Sequence, residues 1–324
     1  MKKKLLLIDL FSGAGGFSRG FNPAFFRHIL AIDNDRAAAR SFKGNFKSAT
    51  VICEDIRDVS CDDFKYLIGG AGEISVVIGS PPCEPFTGAN PNRKPDPLDR
   101  LYADPIGSLV LEFVRIVGCL HPKVFVMENV PAIMDGPLKP ALRKEFESVG
   151  YERIFFNVLR AEDYGTPSRR VRVFISNIPI KPVRTPKRVC VWDALKDLPE
   201  PSEEPLIPNH EPPPRLSSKK LKRVIRLKWG QSLIQYEGAA GRRLPNLIKL
   251  HPYKLAPTVL GSSRFIHPFD NRLLTVREQA RLMGVPDNHV FLGGRDEQYN
   301  QVGEAVPPPL AKAIADEVLK FLVS

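Results

Sequence analysis

The chain has 324 residues, 43% hydrophobic and 26% charged, a balance that gives a globular protein with one large core or two modest ones and excludes a disordered or fibrous chain. Lys and Arg outnumber Asp and Glu by 47 to 36, and the net charge of +11 suggests a polyanionic partner such as nucleic acid, although basic surfaces also occur on proteins that bind none. Five cysteines (Cys53, Cys61, Cys83, Cys119, Cys190), with no CxxC pair and no clustered histidines, argue against a disulfide framework and a metal site and point to a reducing compartment.

The apolar run after MKKK stops at Asp9 and no stretch reaches membrane-spanning length, so a cytoplasmic protein is expected. Short apolar runs at 5–10, 28–33, 49–55, 74–80, 123–129 and 170–176 read as buried strands. Ile106, Leu109, Val110, Phe113, Val117 and Leu120 fall at helical spacing, and the tail PPLAKAIADEVLKFLV reads as another helix. This alternation predicts an α/β fold with a doubly wound, mostly parallel sheet. From 179 to 265 the sequence turns basic and proline-rich (KPVRTPKR, HEPPPRLSSKKLKR) and loses the alternation, which predicts a second, smaller domain. The expected division is 1–178, 179–265, a hinge segment 266–301, and a C-terminal helix over 302–324 that returns to the first domain.

Open α/β sheets bind ligands at the carboxyl ends of their strands. After the first strand comes FSGAGGF (11–17), a glycine-rich turn whose free N–H groups suit an anionic or polar ligand, though Ser18 stands where the dinucleotide pattern has its third glycine and a plain tight turn would look the same. Asp33 ends the second strand, where a carboxylate can bind ribose hydroxyls, and Asp55 ends the third; either could instead cap a helix. A nucleoside cofactor is expected. The fourth strand delivers GSPPCEPFTG (79–88), in which three prolines fix the backbone around Cys83, and the fifth delivers Glu128-Asn129-Val130 to the same edge. A stiff turn at a strand end gives a nucleophilic thiol exposure and a fixed aim, whereas the other four cysteines read as structural.

IDLFSGAGGFSRGF, SPPCEPF, MENV, YGTPSRRVRVF, LTVREQARLMGVPD and QVGEAVPPPLAKAIA, in this order, resemble the cytosine-C5 DNA methyltransferase family over nearly the whole chain outside the variable middle. The resemblance implies S-adenosylmethionine as cofactor. It would be held by Asp9, Phe11, Ser12, Gly13, Gly15 and Gly16, by Asp33, Asn34, Asp55 and Ile56, by Ser80, Pro82 and Leu109, and by Glu304, Ala305 and Val306. Phe11 would lie against the adenine, Asp33 on the ribose and Asp55 near the adenine amino group. It also implies that the Cys83 thiolate adds to carbon 6 of a flipped cytosine, that Glu128 serves N3, that Asn129 braces the loop, and that Arg172, paired with Arg170, holds O2. The loop 88–100 would close over the base. Three positions depart from the family pattern: Glu84 and Glu304 stand for amides and Ser168 for a glutamine.

The tRNA branch of the same family, an amino-methyltransferase sharing Ser80-Pro81-Pro82, and an inactive DNA-binding homologue are the competing readings. Cys83 in place of an aromatic residue speaks against the second, and the complete catalytic set against the third. Specificity is expected in the middle domain, with Arg215, Lys219, Lys220 and Arg223 on phosphates and Arg242 and Arg243 near base edges. Double-stranded DNA is the expected partner of a monomer without metal, with a cognate restriction endonuclease acting on the same sequence as a further candidate.

Overall fold

Five of the six residues of strand β1 (Leu5–Leu10) are buried, and it lies in the interior of a seven-stranded sheet. The computed structural model describes residues 4–70, 72–185 and 188–324; Pro186 and Lys187 of the basic stretch KPVRTPKR lie outside them. The other strands are β2 (Phe26–Ile32), β3 (Thr50–Ile52), β4 (Val76–Gly79), β5 (Val124–Asn129), β6 (Phe155–Arg160) and β7 (Val171–Ser176), in the order β3-β2-β1-β4-β5-β7-β6. The first five are parallel, and β7 runs antiparallel to both β5 and β6. The doubly wound α/β fold expected from the alternation is therefore present.

Helices α1 (Arg36–Asn45), α2 (Cys61–Ile68), α3 (Pro97–Tyr102), α4 (Leu109–Leu120) and α5 (Leu138–Ser148) punctuate this half. Phe64 of α2, Val110 and Phe113 of α4, and Leu142 and Phe146 of α5 bury one face of the sheet together with Ile8, Val77 and Phe125. The other face is covered by Leu310, Ile314 and Val318 of α10 (Pro308–Val323) with Phe17 and Phe21. Apolar residues at helical spacing thus form the outer layers, as burial of a two-faced sheet requires.

Several boundaries differ from the sequence reading for local reasons. Helix α4 starts at Leu109 rather than near 106 because Asp104 Oδ1 accepts from the N–H groups of Ile106 and Gly107 and holds a turn there. The run 49–55 is a strand only over Thr50–Ile52, since Asp55 caps a short turn at Ile56–Asp58. Strand β6 was not anticipated; its residues are only partly buried and mix Phe, Asn, Val and Arg, so they lack a clean period. The cysteine expectation needs a larger correction: Cys61 and Cys119 form a disulfide, with Cα atoms 5.8 Å apart, because α2 and α4 pack side by side. Cys53, Cys83 and Cys190 are free.

The middle of the chain is not devoid of regular structure. Strands β8 (Ser232–Glu237) and β9 (Arg243–Lys249) form an antiparallel hairpin, and β10 (Phe265–Ile266) adds to β9 in parallel. Around them lie α6 (Val191–Leu195), α7 (Ser218–Val224), α8 (Val276–Leu282) and α9 (Arg295–Glu304). Helix α9 runs across the expected 301/302 boundary. No helix among the described residues is long and apolar enough to cross a membrane.

Candidate active site at the switch point of the sheet

In a sheet of order 3-2-1-4-5 the strand order reverses between β1 and β4, and the crevice beyond their carboxyl ends is where such sheets bind ligands. Phe11 leaves β1 with φ of 54°, a left-handed conformation costly for an aromatic residue, and the chain then enters the glycine turn. Gly13 N donates to Asp33 Oδ2 at 2.7 Å, and Asp35 N donates to Asp33 Oδ1 at 2.9 Å, so the carboxylate at the end of β2 braces the turn beyond β1. Burial pushes the Asp33 carboxyl up, against those two donors. At Gly16 a Cβ would lie 2.8 Å from Ala305 Cβ and 2.9 Å from Val306 O, so only glycine lets the turn meet the α9–α10 junction.

The remaining cofactor candidates divide between the crevice and its supports. Ser12 Oγ is buried without a hydrogen-bond partner, Ser80 N bonds Leu10 O at 3.2 Å across the crevice, and Pro82 and Leu109 are half-buried. Asn34 adjoins Asp33, while Ile56 is buried in the core beneath. Asp9 lies inside the sheet, accepts from Ser18 Oγ at 2.6 Å, and has its carboxyl raised well above the usual range by burial; it supports the turn from below. Asp55 is paired with Arg57 (Nη2 to Oδ2, 2.6 Å), a contact that lowers its pKa and occupies the oxygens expected to face an adenine. Glu304 ends α9 on the crevice wall. Its desolvation there, with Glu84, Asp33 and Asp35 nearby, pushes its carboxyl up to about 7, although part of the side chain still meets solvent.

On the β4–β5 side, Pro81 and Pro82 lead to Cys83, and the N–H groups of Phe86 and Thr87 both donate to Cys83 O at 3.0 Å, closing a tight turn around the thiol. Asn129 at the end of β5 is fully buried; its Nδ2 donates to Pro81 O at 3.1 Å and its Oδ1 accepts from Val130 N at 2.8 Å. Because β7 enters antiparallel, with Val173 opposite Asn129, Arg172 arrives at the same rim. Its Nε lies 2.9 Å from Glu128 Oε1, but the contact is misaligned for a hydrogen bond, so Oε1 keeps charge contact without a donor. Burial pushes the Cys83 thiol up, outweighing the opposite pull of Arg172 and Arg170.

Arg170 differs from the expected partner of a base. Its Nη1 donates to Val259 O at 3.0 Å and Gly303 O at 2.9 Å, and burial lowers its pKa to about 9. It ties the start of β7 to the C-terminal end of α9 and to the segment around 259, and reaches Cys83 only through its field. Ser168, next to this strand, is buried against Met283 Sδ at 3.8 Å.

The basic candidates of the middle region are spread out. Lys219 is exposed on α7, Arg223 Nη2 donates to Leu233 O at 3.0 Å and so holds α7 to β8, and Arg242 and Arg243 are exposed where the β8–β9 hairpin turns. Arg215 and Lys220 line a groove of about 460 Å³ with Asn246 and Arg264. Arg264 was not singled out in the sequence, where it stands alone in SSRF, outside any basic run; it stacks 4.1 Å from the Tyr299 ring. Among the described residues no group of three His, Cys, Asp or Glu side chains could hold a metal ion.

The profile of C-5 cytosine-specific DNA methylases matches residues 5–320. The chain belongs to that family. The methylase is 50% identical to M.MJ0563P, a candidate type II methyltransferase of Methanocaldococcus jannaschii, over 98% of this chain and 99% of that one. It is 33% identical to the type II methyltransferase M.DdeI of Desulfomicrobium norvegicum, over 96% and 88% respectively. Among solved structures, a candidate DNA modification methyltransferase from an E. coli prophage superposes with TM-score 0.79 at 24% identity, over 99% of this chain and 100% of that one, a likeness of fold. The methylase is thus an enzyme of the DNA cytosine-5 methyltransferase class, akin to restriction-modification enzymes.

Proposed function

We propose that this methylase flips a cytosine out of double-stranded DNA and methylates its carbon 5 at a short specific sequence, with Cys83 as nucleophile. The observation that carries the reading is the meeting of Cys83, Glu128 and Arg172 at one rim, with Glu128 Oε1 lacking a hydrogen-bond donor beside the Arg172 guanidinium. Carbon 5 of cytosine is a poor nucleophile. Addition of the Cys83 thiolate to carbon 6 forms an S–C bond and moves the ring electrons toward N3 and carbon 5. Glu128 in its protonated form supplies the proton or strong hydrogen bond at N3, and Arg172 binds O2. After methyl transfer N3 returns its proton to the Glu128 carboxylate, and loss of the carbon 5 proton to water restores the 5,6 double bond and expels Cys83 as thiolate. Burial makes the thiol of the free protein harder to ionise, and the Arg172 guanidinium, whose pull on the thiol is stronger than that of Arg170, favours the thiolate.

The crevice fits S-adenosylmethionine: the donorless, buried Ser12 Oγ and the glycine turn face a polar ligand, Phe11 offers a ring, and Glu304 can meet a cationic end. When bound, that cofactor supplies an electrophilic methyl group. Asp33, already engaged by Gly13 and Asp35, shapes the turn and can accept from ribose hydroxyls in addition. Relatives named as type II methyltransferases favour DNA over tRNA as substrate, and a large soluble substrate of this kind fits a cytoplasmic enzyme. The middle region, from about 179 to 265, is assigned to sequence recognition. Bisulfite sequencing of DNA and tRNA from cells expressing the chain tests the reading: methylation in a fixed DNA context is expected, and modification of tRNA alone would refute it.

A further inference from the structure

The β8–β9 hairpin touches the catalytic loop directly. Ala239 N donates to Gly88 O at 3.0 Å, and Gly238 N closes the hairpin on Arg242 O at 2.7 Å. Gly238 is buried in this contact; a Cβ there would lie 3.0 Å from Gly88 O and 2.9 Å from Leu244 Cδ1, so the two chains meet at backbone distance. Gly88 stands shortly after Cys83. Between them the loop is braced by Phe86 N and Thr87 N on Cys83 O, by Arg93 Nη1 on Phe86 O at 3.1 Å, and by Asn90 Nδ2 on Glu84 O at 3.2 Å. A pull at Gly88 is therefore transmitted to the turn that carries the thiol. The same hairpin turn exposes Arg242 and Arg243 and holds Ala240 in a left-handed conformation, φ 57°, unusual for alanine.

We propose that Gly238 and Ala239 are positioning residues for Cys83: by gripping Gly88 they make the aim of Sγ depend on how the hairpin carrying Arg242 and Arg243 is engaged. The inference rests on the reading of the chain as a DNA methyltransferase with Cys83 as nucleophile. It links sequence recognition to the chemical step through one backbone hydrogen bond, and assigns the hairpin an effect on turnover beyond its effect on affinity.

Ala239→Pro removes the donor at little conformational cost, because Gly238 before it is extended (φ −105°, ψ −168°) and Ala239 itself has helical backbone. Single-turnover methylation of unmethylated genomic DNA is expected to slow by about tenfold or more, since misaiming a reacting atom is costly, while S-adenosylmethionine affinity and DNA KM stay within about twofold. Amide hydrogen exchange over 84–93 should accelerate. Ala239→Gly keeps the N–H and should retain turnover within about threefold; Gly238→Ala keeps it too but forces the chains apart, and should match the proline variant, which also covers a proline variant that fails to fold. Wild-type turnover in both Ala239→Pro and Gly238→Ala, or equal loss in Ala239→Gly, overturns the proposal. If the wild-type chain transfers no methyl group to DNA, the functional reading fails instead, and unchanged exchange over 84–93 in Ala239→Pro would still overturn the grip on Gly88.

Discussion

Replacing Asn129 tests how firmly the end of β5 fixes the thiol. Asn129→Ala removes the donor to Pro81 O and the acceptor from Val130 N in a site closed to water. Each orphaned buried backbone group costs about 1–3 kcal/mol, so the loss of stability should be about 2–5 kcal/mol, allowing for partial relaxation. Pro81 is two residues from Cys83, and a shift of about 1 Å there should slow methyl transfer by about 100-fold. Asn129→Asp separates the two bonds, because it keeps the acceptor for Val130 but brings a carboxylate against the Pro81 carbonyl; only the protonated acid can donate. Burial raises such a carboxyl above its unfolded value. The sign follows: the variant should be most stable below the unfolded pKa of about 4 and lose stability as pH rises through the elevated folded pKa. Urea unfolding at acid and alkaline pH, with single-turnover methylation at each, measures both effects. An alanine variant within about 0.5 kcal/mol of wild type, or an aspartate variant with no added pH dependence, would refute the reasoning.

Fluorocytosine DNA should trap a denaturant-resistant adduct in the presence of S-adenosylmethionine, lost in Cys83→Ser and unaffected by mutating Cys53 or Cys190; mass spectrometry locating the adduct elsewhere would remove Cys83 from the mechanism. Because Glu304 is raised to about 7, S-adenosylmethionine should bind more tightly from pH 6 to 8 as the carboxylate forms, and Glu304→Gln should flatten that slope in calorimetry. In the free protein the sign is opposite, its stabilising contribution being complete below the usual 4.5 and lost as pH rises through about 7. Neutralising Lys219 and Lys220 should weaken binding to all duplexes alike and lower the salt dependence, whereas exchanging Arg242 or Arg243 should change which sequence is methylated. Reducing Cys61–Cys119, whose ends are 58 positions apart in sequence, should cost at most about 4 kcal/mol by the loop-entropy argument, read as a drop in Tm; an unchanged Tm would deny the bond a role in stability.

The sheet was legible because its inner strands are continuous apolar runs buried on both faces, and the candidate edge was chosen from strand polarity alone. Strand β6 escaped because an edge strand with half-buried residues carries no clean period, and the middle strands because Pro245 and the glycines of 238–241 interrupt them. Residue types and the family resemblance singled out Cys83, Glu128 and Arg172, which the structure gathers at one rim, but not their supports. That Arg170 holds two distant carbonyls, or that Asp55 is taken by Arg57, depends on where the chain returns in space. The Cys61–Cys119 pairing was invisible for the same reason, since nothing in two isolated cysteines on separate helices signals that the helices are neighbours.

That pairing also changes how the enzyme would respond to a protease. The segment between Cys61 and Cys119 contains β4, Cys83 and the loop 88–100. A single cut in that loop would leave both fragments joined covalently, so nicked enzyme would migrate as one species on a non-reducing gel and separate only after reduction. Limited digestion could then sever the chain beside Cys83 without releasing either fragment, and residual activity of the nicked form would report how much of the alignment of Cys83 comes from packing and how much from an unbroken backbone.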